Sequence, residues 1–309
     1  MGFQKRRMTM LARSASERKF RPFRRLTVGV LLAMLVGCSR MSPPENKKVD
    51  APPTPLAAAF DPESCGTIFG QVCWRGELPQ CPPFEAQGPG PDKKWRTMMV
   101  PDPYQPPINA RTKSVEGAVV YLESVDPARS RPWDHPPVRV VAGNNAMHIE
   151  QGDGSPFSVG FVRRGEEVDL VSHRPDFESI SARGAAFFTL LFPVKDQPLR
   201  RKFNEAGLVE LTSGAGHFWL RANVFVSEHP YFCRTDADGR YELKQVPPGE
   251  YRLCCWLPNP EVARRDRDPN MGHVIRHHHA PPLERCQMIE LTPQQQARVD
   301  MQIGSKIAP

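Results

Sequence analysis

Proline cuts this chain into short pieces. The 309 residues include 34 prolines, and a residue with a fixed φ and no amide hydrogen interrupts helices and central strands alike. Helical periodicity is scarce. Between the prolines lie short runs rich in β-branched and aromatic residues. Residues 67–72 and 167–171 alternate polar and apolar, as half-buried strands do. Residues 117–122 read as a buried strand. Further strands are expected at 138–142, 216–226, 239–243, 251–256 and 297–303. Asp236-Ala237-Asp238-Gly239 reads as a hairpin turn in which glycine supplies positive φ, and Gln245-Val246-Pro247-Pro248-Gly249 as a second turn. Many short strands separated by turn signals predict an all-β protein built of sandwiches or barrels. Two stretches stand apart. Residues 82–110 are Pro/Gly/polar and read as a long loop. Residues 262–282 are largely charged, carry His277-His278-His279 near their end, and read as an excursion from the sheet.

The amino terminus carries a different signal. Positions 1–25 hold nine basic residues and one acid, Glu17. An uncharged apolar run of eleven residues, 26–36, follows; crossing a bilayer takes about twenty. A basic region, a short apolar region and small residues after it define a secretory signal. The run ends Leu35-Val36-Gly37-Cys38, which resembles the lipobox of bacterial lipoproteins. The resemblance implies a signal peptide over 1–37, acylation of the Cys38 sulfur, and a mature chain starting there. Two or three acyl chains make a stable anchor where one binds only marginally. Residues 1–25 take eight units of positive charge with them, so the net +7 of the whole chain becomes −1. The basic balance therefore belongs to the signal and implies no nucleic-acid partner. Residues 38–60 are the lipidated cysteine and a Pro/Ala-rich stretch, a tether too poor in apolar surface to fold.

With Cys38 lipidated, Cys65, Cys73, Cys81, Cys233, Cys254, Cys255 and Cys286 remain. An exported compartment permits disulfides, whose pairing is not readable from spacing. Cys254 and Cys255 are neighbours on an expected strand and point to opposite faces.

The stretch Thr235-Asp236-Ala237-Asp238-Gly239-Arg240-Tyr241-Glu242-Leu243, then Val246-Pro247-Pro248-Gly249-Glu250-Tyr251-Arg252-Leu253, resembles the carboxypeptidase regulatory-like domain, a transthyretin-like β-sandwich. Gly70-Gln71-Val72 with Pro79, and Gly117-Ala118-Val119-Val120, fit its first two strands. The resemblance implies a discontinuous sandwich over 61–138 and 229–309, with 139–228 inserted. The insert is similar to a cupredoxin in strand order and in Gly216-His217-Phe218-Trp219-Leu220, followed by His229-Pro230-Tyr231-Phe232. In that family the segment reads Cys-x2-His-x-Trp-Met, and an earlier His-Asn supplies the first copper ligand. His217 matches the ligand histidine. Gly214 stands at the cysteine, Leu220 at the methionine, and Glu178-Ser179 at the His-Asn. The resemblance thus implies a cupredoxin fold without its type 1 copper, since two imidazoles and a thiolate define that site. The expected fold is all-β: a transthyretin-like sandwich carrying a cupredoxin-like one.

The candidate metal-ligating residues are His217, Glu178, His277, His278 and His279. A His-rich tract can chelate zinc, copper or nickel, although Arg276 and Pro281 beside it favour an exposed loop. Asp176 and Glu178 share a face if extended, yet no nucleophile accompanies them. No nucleophile elbow, phosphate loop, dinucleotide fingerprint or zincin motif is present. The expectation is a non-catalytic, cofactor-free structural or binding protein. It is anchored by lipid in the outer or inner membrane, faces the periplasm or exterior, and meets an envelope protein or glycan. The competing expectation is copper binding or electron transfer of cupredoxin type.

Overall fold

The computed structural model describes residues 59–89, 94–154 and 156–304. Cys38, the signal peptide and nearly all of the tether lie outside the described residues. Within them the fold is all-β, with four large sheets and two separate hairpins.

The first sheet pairs Arg240–Val246 with Gly66–Arg75, and along Gly66–Arg75 run Gln296–Arg298 and Met301–Gly304 in parallel. The second sheet runs Phe232–Arg234, Val119–Glu123, Gly249–Leu257, Leu283–Leu291. Residues 138–227 build the other two. The third sheet runs Phe188–Phe192, Glu178–Gly184, Gly207–Ser213, Arg221–Ser227, Val159–Arg163; the fourth runs Leu199–Lys202, Glu167–Ser172, Val138–Ala142, Met147–Gln151.

Strand alternation joins these sheets into a stack. On Val119–Glu123, Val120 and Leu122 enter the core shared with the first sheet, while Val119 and Tyr121 enter a middle cluster. On Gly249–Leu257, Leu253, Cys255 and Leu257 face the first core, and Cys254 and Trp256 face the middle. The third sheet answers in kind. Ala222, Val224 and Val226 enter the core shared with the fourth sheet; Phe225 turns the other way, beside Val159 and Phe161. The middle layer is aromatic. Tyr121 stacks on Phe232 at 5.2 Å between centroids, and Trp256 meets Phe225 edge-on at 5.2 Å. Each fully buried side chain of this size contributes about 1.5–3 kcal/mol, so the layer binds the two sandwiches firmly.

Gly70 shows why a glycine opens the Gly-Gln-Val strand. A Cβ there would lie 1.9 Å from the Val299 carbonyl oxygen. At that point the edge strand breaks: Val299 donates its amide to Phe69, and the Asp300 carboxylate accepts from Gln71 N. The single strand expected at 297–303 is therefore two.

Other expectations need correction. Residues 82–110 are not all loop: Phe84–Pro89 and Trp95–Val100 form a hairpin, whose Phe84, Ala86 and Val100 cover the core of the third and fourth sheets. Residues 262–282 leave the sheets as expected but pair with themselves, Val262–Arg267 against Val274–His279. Residues 216–220 are a loop, with Gly216 at φ 92°, and the strand starts at Arg221.

Cys254 and Cys286 face each other across paired strands and form a disulfide closing 32 residues. Cys255 lies on the opposite face, buried as a free thiol. A cross-link of this span restricts the unfolded chain by about 2–4 kcal/mol. The Cys254→Ala/Cys286→Ala double variant is expected to fold and to lose that stability in a denaturant titration. An unchanged midpoint would show that the strand pairing alone carries the stability.

Candidate functional site

Two sites emerge, both at the loop leading into Arg221–Ser227. The first is a buried charge network. Glu178 begins its strand fully buried, and His217 and Arg174 are almost as deeply enclosed. The turn at Ser213 shapes the loop. Its hydroxyl accepts from the amides of Ala215 and His217 and donates to Glu178 Oε1 at 2.6 Å. Glu178 Oε1 also accepts the Ser179 amide at 2.9 Å, and Oε2 accepts from His217 Nδ1 at 2.7 Å.

Arg174 closes the network. Its Nη2 lies 3.0 Å from His217 Nε2 and 3.0 Å from Asp176 Oδ2; its Nε lies 3.3 Å from Glu178 Oε2. Its Nη1 donates to the Asn144 carbonyl at 3.1 Å, which also accepts from Trp219 Nε1 at 3.2 Å. A guanidinium can only donate. His217 Nε2 must therefore accept, and Nδ1 carries the proton given to Glu178. Sequence patterning placed Glu178 and His217 together through resemblance, and they do meet. It missed Arg174, which stood in the His173-Arg174-Pro175-Asp176 stretch with nothing to mark it. His173 itself points elsewhere, to Asp196 at 2.5 Å.

These residues do not fit a thiolate copper centre. Gly214 offers no sulfur, and a Cβ there would lie 2.6 Å from Ser179 Oγ. The remaining imidazole lends its lone pair to Arg174. A cation placed about 4 Å from that guanidinium would meet about 4 kcal/mol of repulsion at an effective dielectric of 20. Among the described residues no group of three or more His, Cys, Asp or Glu is placed to hold a metal ion.

The second site is a cleft of about 540 Å³ beneath the hairpin that carries the histidine tract. Strand alternation splits the tract. His278 points outward, its Nε2 at 2.7 Å from Asp266 Oδ2 and 2.9 Å from Arg264. All three border the cleft, but the His277 and His279 rings pack inward against aromatic side chains, so the exposed-loop expectation fails for both. His277 is 2 % exposed, with the rings of Phe84 and Phe218 at 4.1 and 4.6 Å. Tyr104 meets His279 at 4.6 Å. Arg221 donates to the His277 carbonyl at 2.7 Å and pairs with Glu210 at 2.6 Å. Burial, then Arg265 and Arg221, pushes His277 down to about 4. Burial, then Arg221 and His277, does the same to His279, also about 4. Tyr104 and Arg221 were invisible as site residues in the sequence, because both are ordinary types brought in from distant segments.

No known protein-family model matches the chain, and no curated protein is similar to it. Among solved structures, a reduced Cu(I) form of a proline-to-glycine mutant of amicyanin is 17% identical, with a TM-score of 0.23, over 35% of this chain and 97% of that one. A chain of a heme-copper terminal oxidase dimer is 13% identical, with a TM-score of 0.23, over 34% of this chain and 78% of that one. At these values the likeness carries no functional conclusion.

Two outcomes are expected. Glu178→Ala leaves buried Arg174 short of its main counter-charge and should cost about 3–5 kcal/mol in chemical denaturation; a loss under about 1 kcal/mol would mean that Asp176 suffices. The pH dependence has a definite sign. Folded His277 and His279 titrate at about 4 against 6.5 for an ordinary histidine, so between those values the unfolded chain binds more protons. Their contribution is intact above about 6.5 and falls as pH drops toward 4. His279→Gln should flatten that part of a stability–pH curve.

Proposed function

We propose that this chain is a non-catalytic binding protein of the cell envelope, held at a membrane by lipid on Cys38 and presenting a two-sandwich β-scaffold on a Pro-rich tether. In this reading the scaffold is a transthyretin-like sandwich carrying a cupredoxin-like insert whose copper position has been converted to structural use. The observation that carries it is the Arg174 guanidinium seated among Glu178, His217 and Asp176. A fixed protein cation pairs with the carboxylates and takes up the imidazole lone pair, so that position has no free imidazole for a metal. The recognition surface is then the cleft under the histidine hairpin, with aromatic walls and polar groups at its base, as small binding sites usually have. Its partner is an envelope protein or glycan, and no cofactor is needed for the role.

The test has three arms. Copper added to the purified mature chain should produce no thiolate charge-transfer band; such a band with stoichiometric copper would overturn the reading in favour of electron transfer. Cys38→Ala should move the protein from the membrane to the soluble fraction. Capture from envelope fractions should recover one partner with the wild-type chain and lose it with Ile275→Glu, a change at a half-exposed residue of the cleft wall. Recovery of the same set by both chains would sink the cleft as the recognition surface.

A further inference from the structure

Residues lining the cleft carry three buried side-chain atoms without a hydrogen-bond partner: Asn223 Nδ2 and one nitrogen on each of two histidines. His279 Nδ1 lies 3.1 Å from the Asn259 carbonyl oxygen, so it carries the ring proton and donates it. That leaves a lone pair on Nε2, which is buried and has no hydrogen-bond partner. His277 Nδ1 is also buried without a partner. An unsatisfied buried polar atom costs about 1–3 kcal/mol, and native folds rarely accept two on one strand face without a use for them.

We infer that His277 and His279 form a two-imidazole site for copper(I). The spacing suits it. The ring centroids are 6.2 Å apart. A metal about 2 Å from a nitrogen of each ring puts the centroids roughly 5–6.5 Å apart, the upper end being the near-linear arrangement. The surroundings choose the ion. Zinc takes four ligands and calcium six or more oxygens, whereas a d¹⁰ monocation is content with two nitrogens in line. No third His, Cys, Asp or Glu joins the pair among the described residues. Arg221, paired with Glu210, and Arg265 both oppose positive charge at the rings, which disfavours a doubly charged ion more than a singly charged one. Both imidazoles are neutral, the form that ligates. The hydrogen bond from His279 to a backbone carbonyl is the supporting contact that ligating histidines ordinarily have. Phe84, Phe218 and Tyr104 pack around the rings and shield a reduced ion from water. The site is separate from the Arg174 network, and it stands or falls independently of the envelope partner.

The experiment is an anaerobic titration of the mature chain with copper(I) against a colorimetric copper(I) chelator, with zinc(II) in a parallel series. One colourless copper(I) per chain is expected. His277→Ala or His279→Ala should weaken it by more than the roughly 10–100-fold that loss of a supporting contact costs, while His278→Ala leaves it unchanged. Equal weakening by all three would reduce the site to a loose tract and overturn the proposal. Equal or tighter zinc binding would overturn the choice of ion. Free thiols at Cys65, Cys73 and Cys81 are only partly buried and could take copper(I) instead. X-ray absorption of the copper-loaded wild type therefore decides even if a variant misfolds: two nitrogen neighbours support the site, and sulfur neighbours overturn it.

Discussion

Side-chain alternation along three strands holds this molecule together. Val119–Glu123, Arg221–Ser227 and the Leu253–Leu257 end of Gly249–Leu257 are buried on both faces, so successive residues feed two different cores. A strand repeats every two residues; a shift of one would send Phe225 into the core of the third and fourth sheets and Val224 into the aromatic layer. The two sandwiches are thus coupled face to face, through the aromatic layer between the second and third sheets. The disulfide between Cys254 and Cys286 pins the register at the level of this aromatic layer.

Both sites depend on that coupling. The loop at His217 belongs to the inserted segment, while the hairpin bearing His277 and His279 grows from the flanking one. They meet because the aromatic layer sets the sheets at one spacing. Phe218 lies between the two sites: its neighbours His217 and Trp219 serve the charge network, and its own ring packs on His277. One site commits its imidazole lone pair to Arg174, and the other leaves imidazole nitrogens without a partner. That difference follows from charge. Arg174 is turned into the first site, whereas Arg221 at the second is occupied by Glu210 and a backbone carbonyl.

Local chemistry was legible in the sequence. The Asp236–Gly239 turn was, because an Asp that caps the amides of Asp238 and Arg240 and a Gly at φ 75° act through nearest neighbours. The opposite facing of Cys254 and Cys255 was legible for the same reason. The hairpin at Phe84–Pro89 and Trp95–Val100 was not, because Pro/Gly-rich flanks conceal a short apolar face that becomes stable only against another sheet. The inward turn of His277 was equally hidden. A His-His-His run has no preferred face until a neighbouring strand and a core supply one.

Fold class, turns and strand alternation follow from local sequence, since proline placement and period-2 burial are properties of a few consecutive residues. It also carried the expectation of a lipid at Cys38. Which polar groups found partners was settled by the packing of distant segments. Arg174 and His217 lie 43 residues apart, Tyr104 and His279 farther still, and no local rule links them. Whether a buried histidine spends its lone pair on a guanidinium or keeps it depends on what the packing of distant segments leaves within 3 Å, and that is settled only when all the layers close.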